Sequence, residues 1–267
     1  MTDYSEEQLR TMTPKELREI IRKGWTGLTS KVCQGYGQAD VVILPQEYAF
    51  EFLLFCNRNP LPCNVVDVTE PGDPHPRLVA SEADLRTDVA MYRVFKNGEI
   101  VDEPTNIVKY WRDDLVGFLI GCLFGTLWEV KAANISWRSF GAYRTTIPCI
   151  PAGRFHGPQV LSFRAYKNSH DAVRAVQIYS RHPAFHGKPV HIGDPANIGV
   201  KNLGTPDPSI PFQPAAEPPK PGEVVIGGAC GITTQLVAME SKIPFMITHC
   251  PGHMFVMDKR VGEMAAL

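Results

Sequence analysis

Asp40-Val41-Val42-Ile43-Leu44-Pro45 is the stretch on which the reading of the fold turns. Four consecutive apolar residues leave no polar face, so they predict a buried strand rather than a half-solvated one. Proline closes the strand, and an apolar helix reaches Cys56. Asn64 then precedes a second run, Val65-Val66-Asp67-Val68. Strand, helix, strand is the order of a βαβ unit, and it predicts a mostly parallel three-layer α/β/α sheet domain.

The same grammar recurs downstream. Val116-Gly117-Phe118-Leu119-Ile120 leads into Gly121-Cys122 and a helix through Val130. Glu223-Val224-Val225-Ile226 leads into Gly227-Gly228-Ala229-Cys230-Gly231 and a helix from Thr233 to about Glu240. Phe245-Met246-Ile247-Thr248 ends at His249-Cys250-Pro251-Gly252-His253. Upstream, Thr13-Pro14-Lys15-Glu16 has capping-box spacing with proline at the first helical position, which predicts a helix ending at Gly24. Asn97-Gly98 between Tyr92-Arg93-Val94-Phe95 and Ile100-Val101 predicts a hairpin, and Thr105 can cap a helix covering Ile107, Val108 and Trp111.

From about Ser136 to Pro221 the chain turns rich in proline, glycine, histidine and arginine, with strand-like runs at Val160–Arg164 and Val190–Ile192 around a helix from about His170. This stretch reads as a smaller inserted α+β domain, residues 136–221, within a discontinuous domain of residues 1–135 and 222–267. Pro206 to Pro221 holds seven prolines and is expected to be a stiff extended return path.

Composition narrows the class. The chain has 267 residues, 44% hydrophobic and 21% charged, which suits a globular protein with a substantial core. The 27 basic and 28 acidic residues give a net charge of −1, without the excess that neutralising a row of phosphates requires, so nucleic acid is not an expected partner. The longest apolar stretch, Leu115 to Leu127, is broken by glycines and too short for a membrane span. The polar, acidic start resembles neither a signal nor a transit peptide, and the seven cysteines, an odd number without a C-x-x-C pair, read as reduced thiols. A cytoplasmic enzyme is the expectation.

Ligands of open parallel sheets sit beyond the carboxyl ends of the strands, where helix N-termini offer free N–H groups. Cys122, Cys230 and His249 each follow such a strand, so they are the candidate catalytic residues. A thiol at a helix N-terminus is expected to have a lowered pKa, and an imidazole can move protons near neutral pH. Gly231, Thr233 and Thr234 read as a nest for a carboxylate. Arg144 and Arg154, in loops shaped by glycine and proline, are the expected forks on that carboxylate, and His191 with Asp194 forms another strand exit aimed at a cleft. His249 and His253 flank Pro251-Gly252, which breaks the helical spacing a two-histidine metal face needs; no metal or cofactor is expected, though a divalent ion is left open, as is a homo-oligomer.

Together these segments resemble the D-glutamate cyclase family, also described as hydro-lyases, over nearly the whole chain. The resemblance rests on Val42-Ile43-Leu44-Pro45, Ala49-Phe50-Glu51-Phe52 through Asn59-Pro60, Asp84-Leu85-Arg86-Thr87-Asp88 and Gly121-Cys122. It continues through Pro151-Ala152-Gly153, His191-Ile192-Gly193-Asp194-Pro195, Ala229-Cys230-Gly231-Ile232-Thr233 and Pro244–His249 with Pro251-Gly252. It implies ring closure of D-glutamate to 5-oxo-D-proline with loss of water. Where the family usually reads Gly-Cys-Ser-Phe-Ser/Thr-Phe-Glu-Glu, this chain has Gly121-Cys122-Leu123-Phe124-Gly125-Thr126-Leu127-Trp128, which removes a hydroxyl and two carboxyls, with Glu129 following.

Such a cyclisation would use His249 to move the proton, Cys122 or Cys230 as acid or nucleophile, and Arg144 or Arg154 on the α-carboxylate. The same rim would serve dehydration of another small carboxylic acid, or binding of a small acid without turnover.

Overall fold

The computed structural model describes residues 4–205, 207, 210 and 216–266. Half of the proline-rich segment Pro206 to Pro221 therefore lies outside the described residues. In chain order the elements are α1 (Glu6–Thr11), α2 (Pro14–Arg22), β1 (Tyr36–Pro45), α3 (Gln46–Arg58), β2 (Val65–Val68), β3 (Tyr92–Lys96), β4 (Glu99–Asp102), β5 (Leu115–Cys122), α4 (Leu127–Ala132), β6 (Trp137–Pro148), β7 (Pro158–Tyr166), α5 (Ser169–Ser180), β8 (His191–Ile192), β9 (Val224–Ala229), α6 (Ile232–Glu240), β10 (Phe245–His249) and β11 (Phe255–Arg260).

Local chemistry places several of these where the sequence predicts them. Thr13 caps α2 through the Glu16 N–H, and the Glu16 carboxylate returns to the Thr13 N–H. Asn97 and Gly98 turn the β3–β4 hairpin at φ +50° and +80°. Around Val108 the chain makes only a 3-10 turn, Val108–Tyr110, instead of the expected helix.

The strands form two sheets, and every pairing within them is antiparallel. The larger runs β2-β5-β1-β10-β3-β4, with β11 also on β1; the smaller runs β6-β7-β9-β8. The mostly parallel sheet expected from the sequence is thus corrected to a mixed α/β fold with antiparallel sheets. The reason lies in β5. Antiparallel to both β1 and β2, it sits between them, so the two strands of the apparent βαβ unit do run the same way but never touch. The apolar runs reported burial on both faces, which two layers supply whatever the strand direction: Val41 and Ile43 enter one core, Val42 and Leu44 the other.

A second difference concerns β9. Predicted as a strand of the larger sheet, it pairs with β7 and β8 in the smaller one. The ends of β5 and β9 nonetheless converge, because the two sheets meet there.

Glycine is required at that seam. A Cβ on Gly121 would lie 1.6 Å from the Ala184 carbonyl oxygen, an overlap that only main-chain movement could relieve. Among the described residues, no helix is long and apolar enough to cross a membrane.

A Gly121→Ala substitution is expected to destabilise the protein by about 3 kcal/mol or more, since backbone rather than a flexible side chain must yield. Urea denaturation with circular dichroism checks this, and a loss well under 1 kcal/mol would contradict the close approach.

Candidate active site

Along β1 the side chains alternate between the two cores, and Asp40 falls on the face that carries Val42 and Leu44. It is 3% exposed. On this edge of β1 the ladder with β10 ends at Val42–Thr248, and the one with β11 begins at Ala39–Phe255. Asp40 and Val41 sit in the gap. The imidazole of His249 fills it: Nδ1 accepts the Val41 N–H at 3.1 Å, and Nε2 lies 3.0 Å from Asp40 Oδ1. Accepting at Nδ1 puts the proton of a neutral ring on Nε2, which donates it to Asp40.

The other carboxylate oxygen faces a second histidine. His186 Nε2 stands 3.6 Å from Asp40 Oδ2, near enough for an ion pair but too far for a hydrogen bond. His186 follows a 3-10 turn, Pro183–Phe185, at φ +68°, a left-handed conformation uncommon for a residue with a side chain. Its Nδ1 donates to the Leu61 carbonyl at 2.7 Å, which leaves Nε2 facing Asp40. Both Asp40 Oδ2 and His186 Nε2 are buried without a hydrogen-bond partner. Burial alone would raise the Asp40 carboxyl, but the facing imidazoles outweigh it and hold the group well below the usual carboxylate range.

Cys122 and Cys230 close the cluster. Cys122 Sγ, Asp40 and His186 each offer a ligand atom within 4.8 Å of the others, so among the described residues these three could hold a metal. The expected lowering of the thiol pKa is corrected. Burial first, and then the charge of Asp40, push Cys122 well above its ordinary value and Cys230 up to about 12. The Phe124 and Ile232 N–H groups and the Arg164 charge act the other way and are outweighed. Both thiols are held protonated at neutral pH, and so are suited to donating protons rather than to attack.

Arg164, on β7, alternates onto the same face as Tyr166. It is 6% exposed, its Nη1 reaches only Ser162 Oγ at 3.2 Å, and its Nε has no partner. No carboxylate among the described residues forms an ion pair with it. With His186, Leu123, Tyr166, Tyr179, Gly187 and Gly228 it lines a cavity of about 10 Å³, room for about one water. A buried guanidinium without a counter-ion costs several kcal/mol, and an anionic ligand removes that cost.

The structure brings Cys122, Cys230 and His249 together around Asp40, with one qualification. His249 is 1% exposed with both ring nitrogens engaged, so it orients Asp40 instead of facing a ligand. Gly231 belongs to the cluster for steric reasons: a Cβ there would lie 1.8 Å from Asp40 Oδ2.

The expected ligand-binding side chains are used elsewhere. Arg144 pairs with Glu240 on the surface, and Arg154 pairs with Glu51 at 3.1 Å while covering the Tyr48 ring. His191 Nε2 bonds the Asp194 carbonyl at 2.9 Å, and the Asp194 carboxylate accepts the Ala196 N–H, so the two close their own turn. Thr233 Oγ1 bonds the Val160 backbone and Thr234 Oγ1 the Gly231 carbonyl. Asp40 and His186 are not singled out by the sequence, and Arg164 is there only one of several cationic donors of the stretch 136–221, without a site role of its own.

A sequence model of the D-glutamate cyclase family matches residues 116–258. "Putative hydro-lyase GK2103" of Geobacillus kaustophilus is 48% identical over 263 residues, covering 96% of this chain and 98% of its own. "Putative hydro-lyase YcsI" of Bacillus subtilis is 46% identical over 263 residues, covering 96% of this chain and all of its own. Among solved structures, a nitrogen repressor-like protein from Methanococcus jannaschii aligns over 94% of this chain and 99% of its own at TM-score 0.39 and 7% identity, too distant to argue from.

The raised thiol of Cys230 carries a pH signature. Its folded value of about 12 stands above the ordinary 9.0, so the stability it contributes is full below pH 9 and is lost as pH rises toward 12. Between pH 9 and 11 the unfolding free energy of the wild type should fall more steeply than that of Cys230→Ser, by at most about 1.4 kcal/mol per pH unit. Parallel slopes in urea titrations at those pH values would refute the protonated thiol.

Proposed function

The chain belongs to the D-glutamate cyclase family and is an enzyme of the hydro-lyase class, and from that premise we propose that it closes D-glutamate to 5-oxo-D-proline with release of water. The observation that carries the reading is Arg164: a buried cation without a counter-ion, in a cavity that His186 also lines and close enough to two protonated thiols to act on their pKa.

The reaction forms one N–C bond and breaks one C–O bond. Two protons leave the substrate ammonium, and one oxygen of the side-chain carboxylate departs with both of them as water. No net proton is gained or lost, so the enzyme has to strip nitrogen on one side and protonate oxygen on the other.

Arg164 fixes the α-carboxylate by a two-point hydrogen-bonded fork, which leaves the amine and distal carboxyl to be folded toward each other. Asp40 with His186 accepts the ammonium protons, His249 holding the carboxylate in place. Cys122 or Cys230 delivers a proton to the departing hydroxyl. A thiol near 12 is a far stronger acid than water, so the transfer to hydroxide runs downhill. A cavity of about 10 Å³ is too small for glutamate, so binding requires its lining, which includes Gly187 and Pro189, to open.

Purified protein given D-glutamate should consume the primary amine and release 5-oxoproline. A panel of small hydroxy acids, whose dehydration consumes no amine, tests the competing chemistry. Arg164→Met should lower kcat/KM on the order of 100-fold or more, chiefly through KM, because it removes a buried charge partner of the substrate. An unchanged KM in that variant would remove Arg164 from the scheme, and amine left intact by the wild type would overturn the cyclase reading.

A further inference from the structure

We infer that Asp40 Oδ2, His186 Nε2 and Cys122 Sγ form a binding site for a divalent transition-metal ion of the zinc class, with one coordination position left open. One ligand atom from each of the three lies within 4.8 Å of the others, Oδ2 and Nε2 stand 3.6 Å apart, and all three residues are buried. Asp40 Oδ2 and His186 Nε2 have no hydrogen-bond partner, although each is buried in the protein. Two unmatched acceptor positions that face each other at 3.6 Å call for a positive group between them.

The separation fits. Ligand atoms around a tetrahedral ion with bonds of about 2.0–2.3 Å stand roughly 3.3–3.8 Å apart, so the oxygen and nitrogen already have the spacing of two ligands on one ion. The donor set of carboxylate, imidazole and thiolate suits zinc or cobalt rather than magnesium or calcium, which prefer oxygen alone.

The surroundings are those of a held ligand set. A metal-binding histidine usually gives its other N–H to a carbonyl, as His186 Nδ1 does to Leu61 at 2.7 Å. The second oxygen of Asp40 is tied to His249, whose ring is fixed by the Val41 N–H. Gly231 leaves open the space that a Cβ would take from Asp40 Oδ2, and the left-handed backbone of His186 turns its ring inward.

Proton and charge balance closes. The ion displaces the thiol proton of Cys122 to solvent, and thiolate plus carboxylate then match its two positive charges, with a neutral imidazole as third ligand. His186 also lines the cavity of Arg164, so the open position faces the place given above to the substrate carboxyl groups. A Lewis acid there would polarise the carboxyl group that loses its oxygen. Asp40 and His186 are then ligands instead of the base, the ammonium protons pass to solvent and Cys230 is the thiol that protonates the hydroxyl. These roles, unlike the ion binding itself, rest on the cyclase reading.

The test is titration of chelator-treated full-length protein with Co²⁺, read by absorbance and followed by competition with Zn²⁺. One equivalent should saturate a near-ultraviolet thiolate-to-cobalt band together with visible bands. Cys122→Ser should lose the near-ultraviolet band, and His186→Asn, which tolerates the left-handed backbone, should weaken binding by more than about 100-fold. Cobalt-edge anomalous diffraction of the soaked wild type, which needs no variant to fold, should put the ion within bonding distance of all three atoms. Absence of saturable binding, an ion located elsewhere, or a band unchanged by both variants overturns the site.

The two readings fail separately. Turnover of D-glutamate by protein that binds no cobalt sinks the metal site alone. A cobalt ion on these three atoms in protein that leaves D-glutamate unchanged sinks the cyclase reading alone.

Discussion

One buried carboxylate organises this molecule. Taking Asp40 out of water costs several kcal/mol unless its charge is matched, and the chain meets that cost from four separate places. His249 comes from the end of β10, His186 from a left-handed turn after the 3-10 segment Pro183–Phe185, and Gly231 withholds a Cβ at the start of α6. Cys122, at the end of β5, stands on the same side. These positions span more than two hundred residues of sequence, so the site exists only when both sheets are formed and docked. Its geometry reports on the whole fold.

The ladder explains why the carboxylate can sit there at all. A central strand has both edges bonded, and a polar side chain in its middle normally has nothing to meet. β1 escapes this because two different strands share its second edge and leave a break at Asp40–Val41. The free Val41 N–H must be satisfied, and the His249 ring satisfies it while presenting its opposite nitrogen to Asp40. One ring thus repairs a backbone gap and orients a carboxylate, a pairing of tasks that explains its nearly complete burial better than direct contact with a ligand would.

Which parts of this were legible in the sequence follows from what each signal measures. Apolar runs measure burial, and they located β1, β5, β9 and β10 with their terminal Cys122, Cys230 and His249. They carry no information on strand direction, so the parallel reading failed once β5 inserted itself between β1 and β2. Turn chemistry drew attention to Arg144, which stands within β6 and not in the expected loop, and to Arg154; the folded chain uses both in surface ion pairs. Arg164 counts in the sequence only as one of several cationic donors, because a solvated surface arginine is the default for each of them. The alternation Ser162, Arg164, Tyr166 was there to be read, but only α5 packing over that face shows that its arginine is enclosed. His186 could not be found from pattern at all, since its turn is set by tertiary contact with Leu61 and Gly121.

The departures from the family's usual Gly-Cys-Ser-Phe segment can now be weighed by position. Leu127 packs into the apolar cluster between α4, α5 and the smaller sheet, and Trp128 lies under the Lys131 ammonium; neither lines the cavity. Replacing carboxyls there alters packing and charge but not the lining of the cavity. Glu129, one residue on, reaches His182 at 2.7 Å, so a carboxylate persists on α4 with an imidazole for its partner. Leu123 is different, because it does line the cavity, opposite Gly228. An apolar wall in place of a hydroxyl cannot hydrogen-bond the substrate, but it dries the space around Arg164 and strengthens that arginine's pull on a carboxylate. The substitution that bears on chemistry is therefore the one that removes the smallest group, and it acts by changing the medium in which the retained charges meet.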